Sequence, residues 1–271
     1  MNIIHLSDVH FGSTKSTFFN ESIKEELISF LQRIQGPTVL VISGDVTFKG
    51  LGKGFDEAKE FFNAVREASA LERNQIIACP GNHDLLEQES EPFTLFNQFM
   101  YSLRRDDIFD FSKKNFSSII INDTFFLVIN SAHHLDHNYG LVDKEVFSYI
   151  KDKKSEIDNC SFKVAITHHH FLNQFSDDTS VIRNSYPFLY ALDKAKFNLI
   201  LHGHQHVRQQ MPIGHNNMQI ESSSSLNFHE KGYNNGLNHY QIDGSNILKT
   251  AYVFSNDFDP TKLTLNKEYT A

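Results

Sequence analysis

The sequence predicts an α/β fold. Short apolar runs of strand length recur along the chain, and amphipathic helical patterns lie between them. After Met218 the pattern changes to strands separated by turns, which adds antiparallel strands at the carboxyl end.

The strand-length runs are rich in Ile and Val. They are Ile3-Ile4 with Leu6, Thr38 to Ile42, Gln75 to Ala78, Ser118 to Ile121, Phe125 to Ile129, Lys163 to Ile166 and Phe197 to Leu201. Phe19 to Ile34 reads as a helix with Ile23, Leu27, Phe30, Leu31 and Ile34 on one face. Phe55 to Ala68 repeats the arrangement with Ala58, Phe61, Phe62 and Val65. Asp143 caps a third helix, which continues through Val146, Phe147 and Ile150. Gln219-Ile220, Asn238 to Ile242 and Ile247 to Phe254 read as strands that complete a second sheet, with Asp243-Gly244 as a turn. Residues 85–115 hold an amphipathic pattern from Phe93 to Leu103 and a charged stretch from Arg104 to Asp110. They are expected to form a cap or lid inserted into one domain, 1–255, followed by a polar tail, 256–271.

Composition narrows the function classes. With 40% apolar and 21% charged residues, the chain reads as an ordinary soluble globular protein. The net charge of −8 and the lack of a basic stripe disfavour a nucleic-acid partner. Cys79 and Cys160 form no C-x-x-C pair, and no apolar stretch is long enough for a bilayer. Reduced cysteines and the absence of a signal-like start lead to an expectation of a cytoplasmic protein with no membrane partner.

The 15 histidines carry more information through their positions than through their number. Asp8-x-His10 follows the first strand, and Gly44-Asp45 follows the second. Gly81-Asn82-His83-Asp84, His168 and Gly203-His204-x-His206 each follow a later one. Ligand sites in α/β sheets gather at the carboxyl ends of strands. Any one of these pieces is explained by a polar turn or a helix cap. Five in succession, each directly after an apolar run, point to a metal site.

This series resembles the calcineurin-like metallophosphoesterase superfamily, over residues 8 to 206. Cys79 to Asp84, and Asn130-Ser131 through Gly140-Leu141-Val142-Asp143, look most like its class III cyclic-nucleotide phosphodiesterase branch. The resemblance implies two mixed sheets packed face to face with helices outside, a four-layer αββα sandwich. It implies two divalent ions, one held by Asp8, His10 and His206 and the other by Asn82, His168 and His204, with Asp45 bridging both. It also implies that His83 faces the substrate and protonates the leaving oxygen, with Asp84 expected to orient it or, equally well, to cap a helix.

Imidazole and carboxamide ligands favour manganese, iron, zinc, nickel or cobalt over calcium or magnesium. Two such ions, partly neutralised by Asp8 and Asp45, suit a phosphate group and can share the hydroxide that attacks it. The expected reaction is hydrolysis of a phosphodiester in a nucleotide-like molecule. A nuclease of the double-strand-break repair type ranks second, because such enzymes usually add a long coiled coil that this chain lacks. A phosphoprotein phosphatase ranks third, since Asp84-Leu85 stands where those enzymes place Glu-Arg. An interaction scaffold that has lost activity, like the retromer subunit of this fold, is the reading from another class.

Overall fold

A computed structural model describes residues 1–86, 90–256 and 263–270. Two six-stranded mixed sheets pack against each other, with helices on the outside. In the first sheet, β1 (Asn2–Leu6), β2 (Thr38–Ser43) and β3 (Ile76–Cys79) run parallel and are buried along their whole length. Such strands read as continuous apolar runs because both faces are covered. Helices α1 (Asn20–Arg33) and α2 (Gly52–Ala68) cover this sheet through the apolar stripes that the sequence predicts.

The segment expected to be a cap belongs to that helical layer instead. Helix α3 (Thr94–Arg104) turns Phe96, Phe99, Met100 and Leu103 into the main core. Phe99 meets Phe55 and Phe62 of α2 with ring centroids 6.0 Å apart. The charged stretch is also tied down. Arg104 is buried, pairs with Asp106 and donates to the carbonyls of Asn74 (3.0 Å) and Ile76 (2.6 Å). Amphipathicity reveals an apolar face but not its partner, and here that face lies against α2. Residues 87–89 of this segment lie outside the described residues.

The second sheet contains β4 (Phe116–Ile121), β5 (Thr124–Ile129), β6 (Phe162–Ile166), β7 (Leu199–His202), β8 (Gln210–Ile213) and β9 (Met218–Ser222), in the order β4-β5-β6-β7-β9-β8. Helices α4 (Lys144–Asp152), α5 (Lys154–Asn159) and α6 (Ser185–Lys194) flank it. The Asp143 side chain caps α4, accepting from Glu145 N–H at 2.9 Å. Neither α6 nor the edge strand β8 is predicted from the sequence.

The carboxyl-terminal strands β10 (Gly236–Asp243) and β11 (Asn246–Ser255) join the first sheet, not the second. β10 lies antiparallel to β1, with Asn2 opposite Gln241 and His5 opposite Asn238. β1 is buried and pairs with β2 on one edge only, so its other row of N–H and C=O groups needs a partner. Only a strand from the far end of the chain supplies it. The expected tail is a strand as well. β12 (Thr264–Thr270) extends the sheet beyond β11, with only Leu265 buried. A polar edge strand looks like a tail in sequence because it turns so little apolar surface inward. Residues 257–262 and 271 lie outside the described residues.

Candidate metal centre

The carboxyl ends of β1, β2 and β3 from one sheet and of β6 and β7 from the other meet at one edge of the sandwich. The loops leaving them bring together Asp8, His10, Asp45, Asn82, His168, His204 and His206. Five of these residues have left-handed backbone: Asp8 (φ 52°), His10 (55°), Asp45 (51°), His204 (76°) and His206 (57°). Such conformations cost about 1–3 kcal/mol each and persist where the surroundings over-determine them. Backbone ties supply that constraint. Asp8 N–H donates to Gly44 C=O at 3.1 Å and His10 N–H to Asp45 C=O at 3.0 Å.

The side chains fall into two sets that could each hold an ion, Asp8 with His10 and His206, and Asp45 with His168 and His204. Asn82 completes the second set, its Oδ1 lying 3.0 Å from His168 Nε2 and 3.1 Å from His204 Nδ1. Asp45 reaches both, with Oδ2 at 3.3 Å from His168 Nε2 and 3.7 Å from His10 Nε2.

The donor chemistry fits divalent ions. His168 Nδ1 lies 2.9 Å from Ser43 C=O and donates to it, so the Nε2 lone pair faces inward. It points at Asn82 Oδ1 and at His204 Nδ1, which is 3.1 Å away. In the first set, Glu230 accepts from His206 Nδ1 at 2.8 Å, and His206 Nε2 then faces His10 Nε2 at 3.1 Å and Asp8 Oδ1 at 3.4 Å. Ring nitrogens converge with amide or carboxylate oxygens in both places, a donor set that suits a cation. Burial opposes protonation at His168 and His206, but the carboxylates of Asp45 and Asp8 outweigh it and hold both up to about 9. Burial disfavours ionised Asp8 and Asp45, yet the neighbouring imidazoles keep both below the usual carboxylate range. Burial keeps His10 neutral, lowered to about 4, and lowers His204 as well. Ions at these positions would replace the protons that otherwise balance the two carboxylates.

Two motif glycines are there because nothing larger fits. A Cβ at Gly203 would overlap the Ser7 hydroxyl and the Asp8 carboxylate, and one at Gly81 would overlap Asp45. Gly203→Ala is therefore expected to displace Asp8 and empty at least the first set. Metal analysis and a melting curve check this against Gly52→Ala, a position with nothing within 4 Å of the added methyl. Full metal content in Gly203→Ala would show that the loop can shift without disturbing its ligands.

His83 stands beside the two sets, its ring centroid 5.1 Å from that of His10. Its N–H donates to Asp45 Oδ1 at 2.9 Å, and Nδ1 lies 2.8 Å from Phe48 C=O. That carbonyl, not Asp84, sets the ring's orientation and leaves Nε2 available. Asp84, expected to orient His83, does not bond to the ring. Asp84 is buried, and its carboxylate accepts from the N–H groups of Gly81 (2.9 Å), Val46 (3.1 Å) and Thr47 (2.8 Å). It clamps the β2 and β3 loops together. His169 and His170 are fully buried scaffold residues, bonded to Ser131 (2.8 Å) and Asp178 (2.8 Å). Phe48, Phe228 and Glu230 escape sequence reading. One acts through a backbone carbonyl and the others lie on a loop without a motif.

Two packed mixed sheets with paired, buried sets of imidazole and carboxylate donors at their shared carboxyl edge define a metal-dependent phosphoesterase class. The chain belongs to the calcineurin-like phosphoesterase family, whose model matches residues 1–208. No curated protein matches it. Among solved structures, a dimetal phosphatase from Danio rerio has a TM-score of 0.67 at 10% identity, covering 99% of both chains. GAP50, the anchor in the inner membrane complex of Plasmodium, has a TM-score of 0.56 at 13% identity, covering 99% of this chain and 89% of its own. A 5'-nucleotidase precursor from Thermus thermophilus has a TM-score of 0.55 at 10% identity, with 98% and 54% covered. At these identities the likeness is one of fold. No described helix is long and apolar enough to cross a membrane.

Proposed function

We propose that this phosphoesterase is a phosphodiesterase acting on a nucleotide-like substrate with two transition-metal ions, manganese or iron first, then zinc, nickel or cobalt. Asp8, His10 and His206 would hold one ion, Asn82, His168 and His204 the other, and Asp45 would lie between them. When bound, the ions supply Lewis-acid charge at the phosphoryl oxygens and lower the pKa of water.

The observation that carries this reading is Asp45 within reach of both donor sets. Its carboxylate would offset the repulsion between neighbouring cations, while its other oxygen anchors the His83 backbone at 2.9 Å. The chain's own residues then divide the work. Phe48 C=O fixes the His83 ring with Nε2 free to deliver a proton to the departing alkoxide. Glu230 orients His206, as carboxylates commonly do for ligating imidazoles. The side chains that pair with Asp8 and Asp45 among the described residues are all imidazoles.

The test is hydrolysis of bis-p-nitrophenyl phosphate against p-nitrophenyl phosphate by manganese-loaded protein, with metal analysis of the same preparation. Close to two ions per chain and faster cleavage of the diester are expected. A preference for the monoester would replace the phosphodiesterase reading. Two bound ions without hydrolysis of either substrate would favour a scaffold.

A further inference from the structure

We propose that Phe48 and Phe228 form an aromatic seat beside the metal centre for a planar ring on the substrate's leaving group, with Lys15 and Lys49 placed to receive an anionic group carried by it. This rests on the phosphodiesterase reading and adds what the leaving alcohol must look like.

Phe228 borders the first donor set directly. Its ring centroid is 4.6 Å from that of His10 and 5.2 Å from that of His206. Phe48 lies between Phe228 and His83 and is nearly parallel to both, at 5.9 Å and 21° from the one and 5.7 Å and 9° from the other. His83, Phe48 and Phe228 therefore form one stack of near-parallel rings. Both phenylalanines are only half-buried. Apolar surface left open next to a charged centre gains stability when a ligand covers it.

His83 links this stack to the chemistry. A general acid must come within about 2.6–3.2 Å of the oxygen it protonates. The group bearing that oxygen therefore lies beside the ring stacked on His83, which is Phe48. Parallel rings favour a flat partner, and aromatic side chains stack on any nucleobase because every base has a π-face.

Charge narrows the class further. Lys49 Nζ stands 5.6 Å from the Phe48 centroid and Lys15 Nζ 5.8 Å from that of Phe228, and both residues are exposed. Neither forms an ion pair among the described residues. In a chain of net charge −8, two such exposed cations, one beside each ring, would draw an anion there.

The experiment measures inhibition of bis-p-nitrophenyl phosphate hydrolysis by adenosine 5'-monophosphate and by ribose 5-phosphate, in manganese-loaded wild type and in Phe228→Leu and Phe48→Leu. Wild type should bind the nucleotide about 10-fold more tightly, in the range that stacking of one base supplies. Both leucine variants should lose most of that ratio, and Phe228→Tyr, which keeps the ring, should retain it. Lys15→Glu with Lys49→Glu should remove any preference for adenosine diphosphate over the monophosphate. Equal inhibition by the two compounds in wild type, or a ratio that survives in both leucine variants, would overturn the seat. Failure of the underlying reading shows separately, as absent diester hydrolysis by wild type. Calorimetric titration with adenosine monophosphate then still tests the seat.

Discussion

Asp45→Asn is expected to empty both ion positions and lower diester hydrolysis by about 10³-fold or more, as losing several kcal/mol of metal-derived stabilisation would. One Asp45 oxygen lies within 3.7 Å of a histidine in each donor set. The other accepts from the His83 backbone at 2.9 Å. An asparagine keeps the shape but removes the charge that would separate two cations. Asp8→Asn should act mainly on the first set, since Asp8 pairs with His10 and His206. Its wider effect runs through His204 N–H, which donates to both Asp8 oxygens at 3.1–3.2 Å. Metal content and kcat measured on the two variants side by side separate these outcomes. Equal, single-site losses in both would show that Asp45 is not shared.

His83→Ala should cost a natural diester about 10²–10⁴-fold in kcat/KM, the usual contribution of a general acid. A nitrophenyl ester should lose much less, because nitrophenolate departs without a proton. Metal content should stay near that of wild type. Equal losses on both substrates with metal retained would mean that His83 stabilises the phosphoryl group and delivers no proton. Asp84→Asn provides the contrast. Its carboxylate holds the N–H groups of Gly81, Val46 and Thr47 and does not touch the His83 ring. That variant should lower the melting temperature and metal retention while leaving the ratio between the two substrates unchanged. A leaving-group effect like that of His83→Ala would restore Asp84 as a partner in proton delivery.

The sequence by itself determined the α/β alternation, most strands and helices, and the set of side chains that meet at the centre. These are local properties. A strand buried on both faces reads as a continuous apolar run, and the polar groups that gather at one edge of the sheets leave its carboxyl end, so both leave marks within a few residues. Asp8, His10, Asp45, Asn82, His168, His204 and His206 were legible for that reason. The tertiary structure alone decided which sheet receives β10 to β12. Strand partners are chosen by unpaired backbone groups, and β1 and Gln241 are joined across the whole chain. It also decided that α3 lies in the helical layer, because an apolar stripe does not name its partner. Around the centre, Phe48 acts through a carbonyl that every residue has, Glu230 reaches His206 from a loop without a motif, and Asp84 answers to backbone N–H groups brought close only by folding.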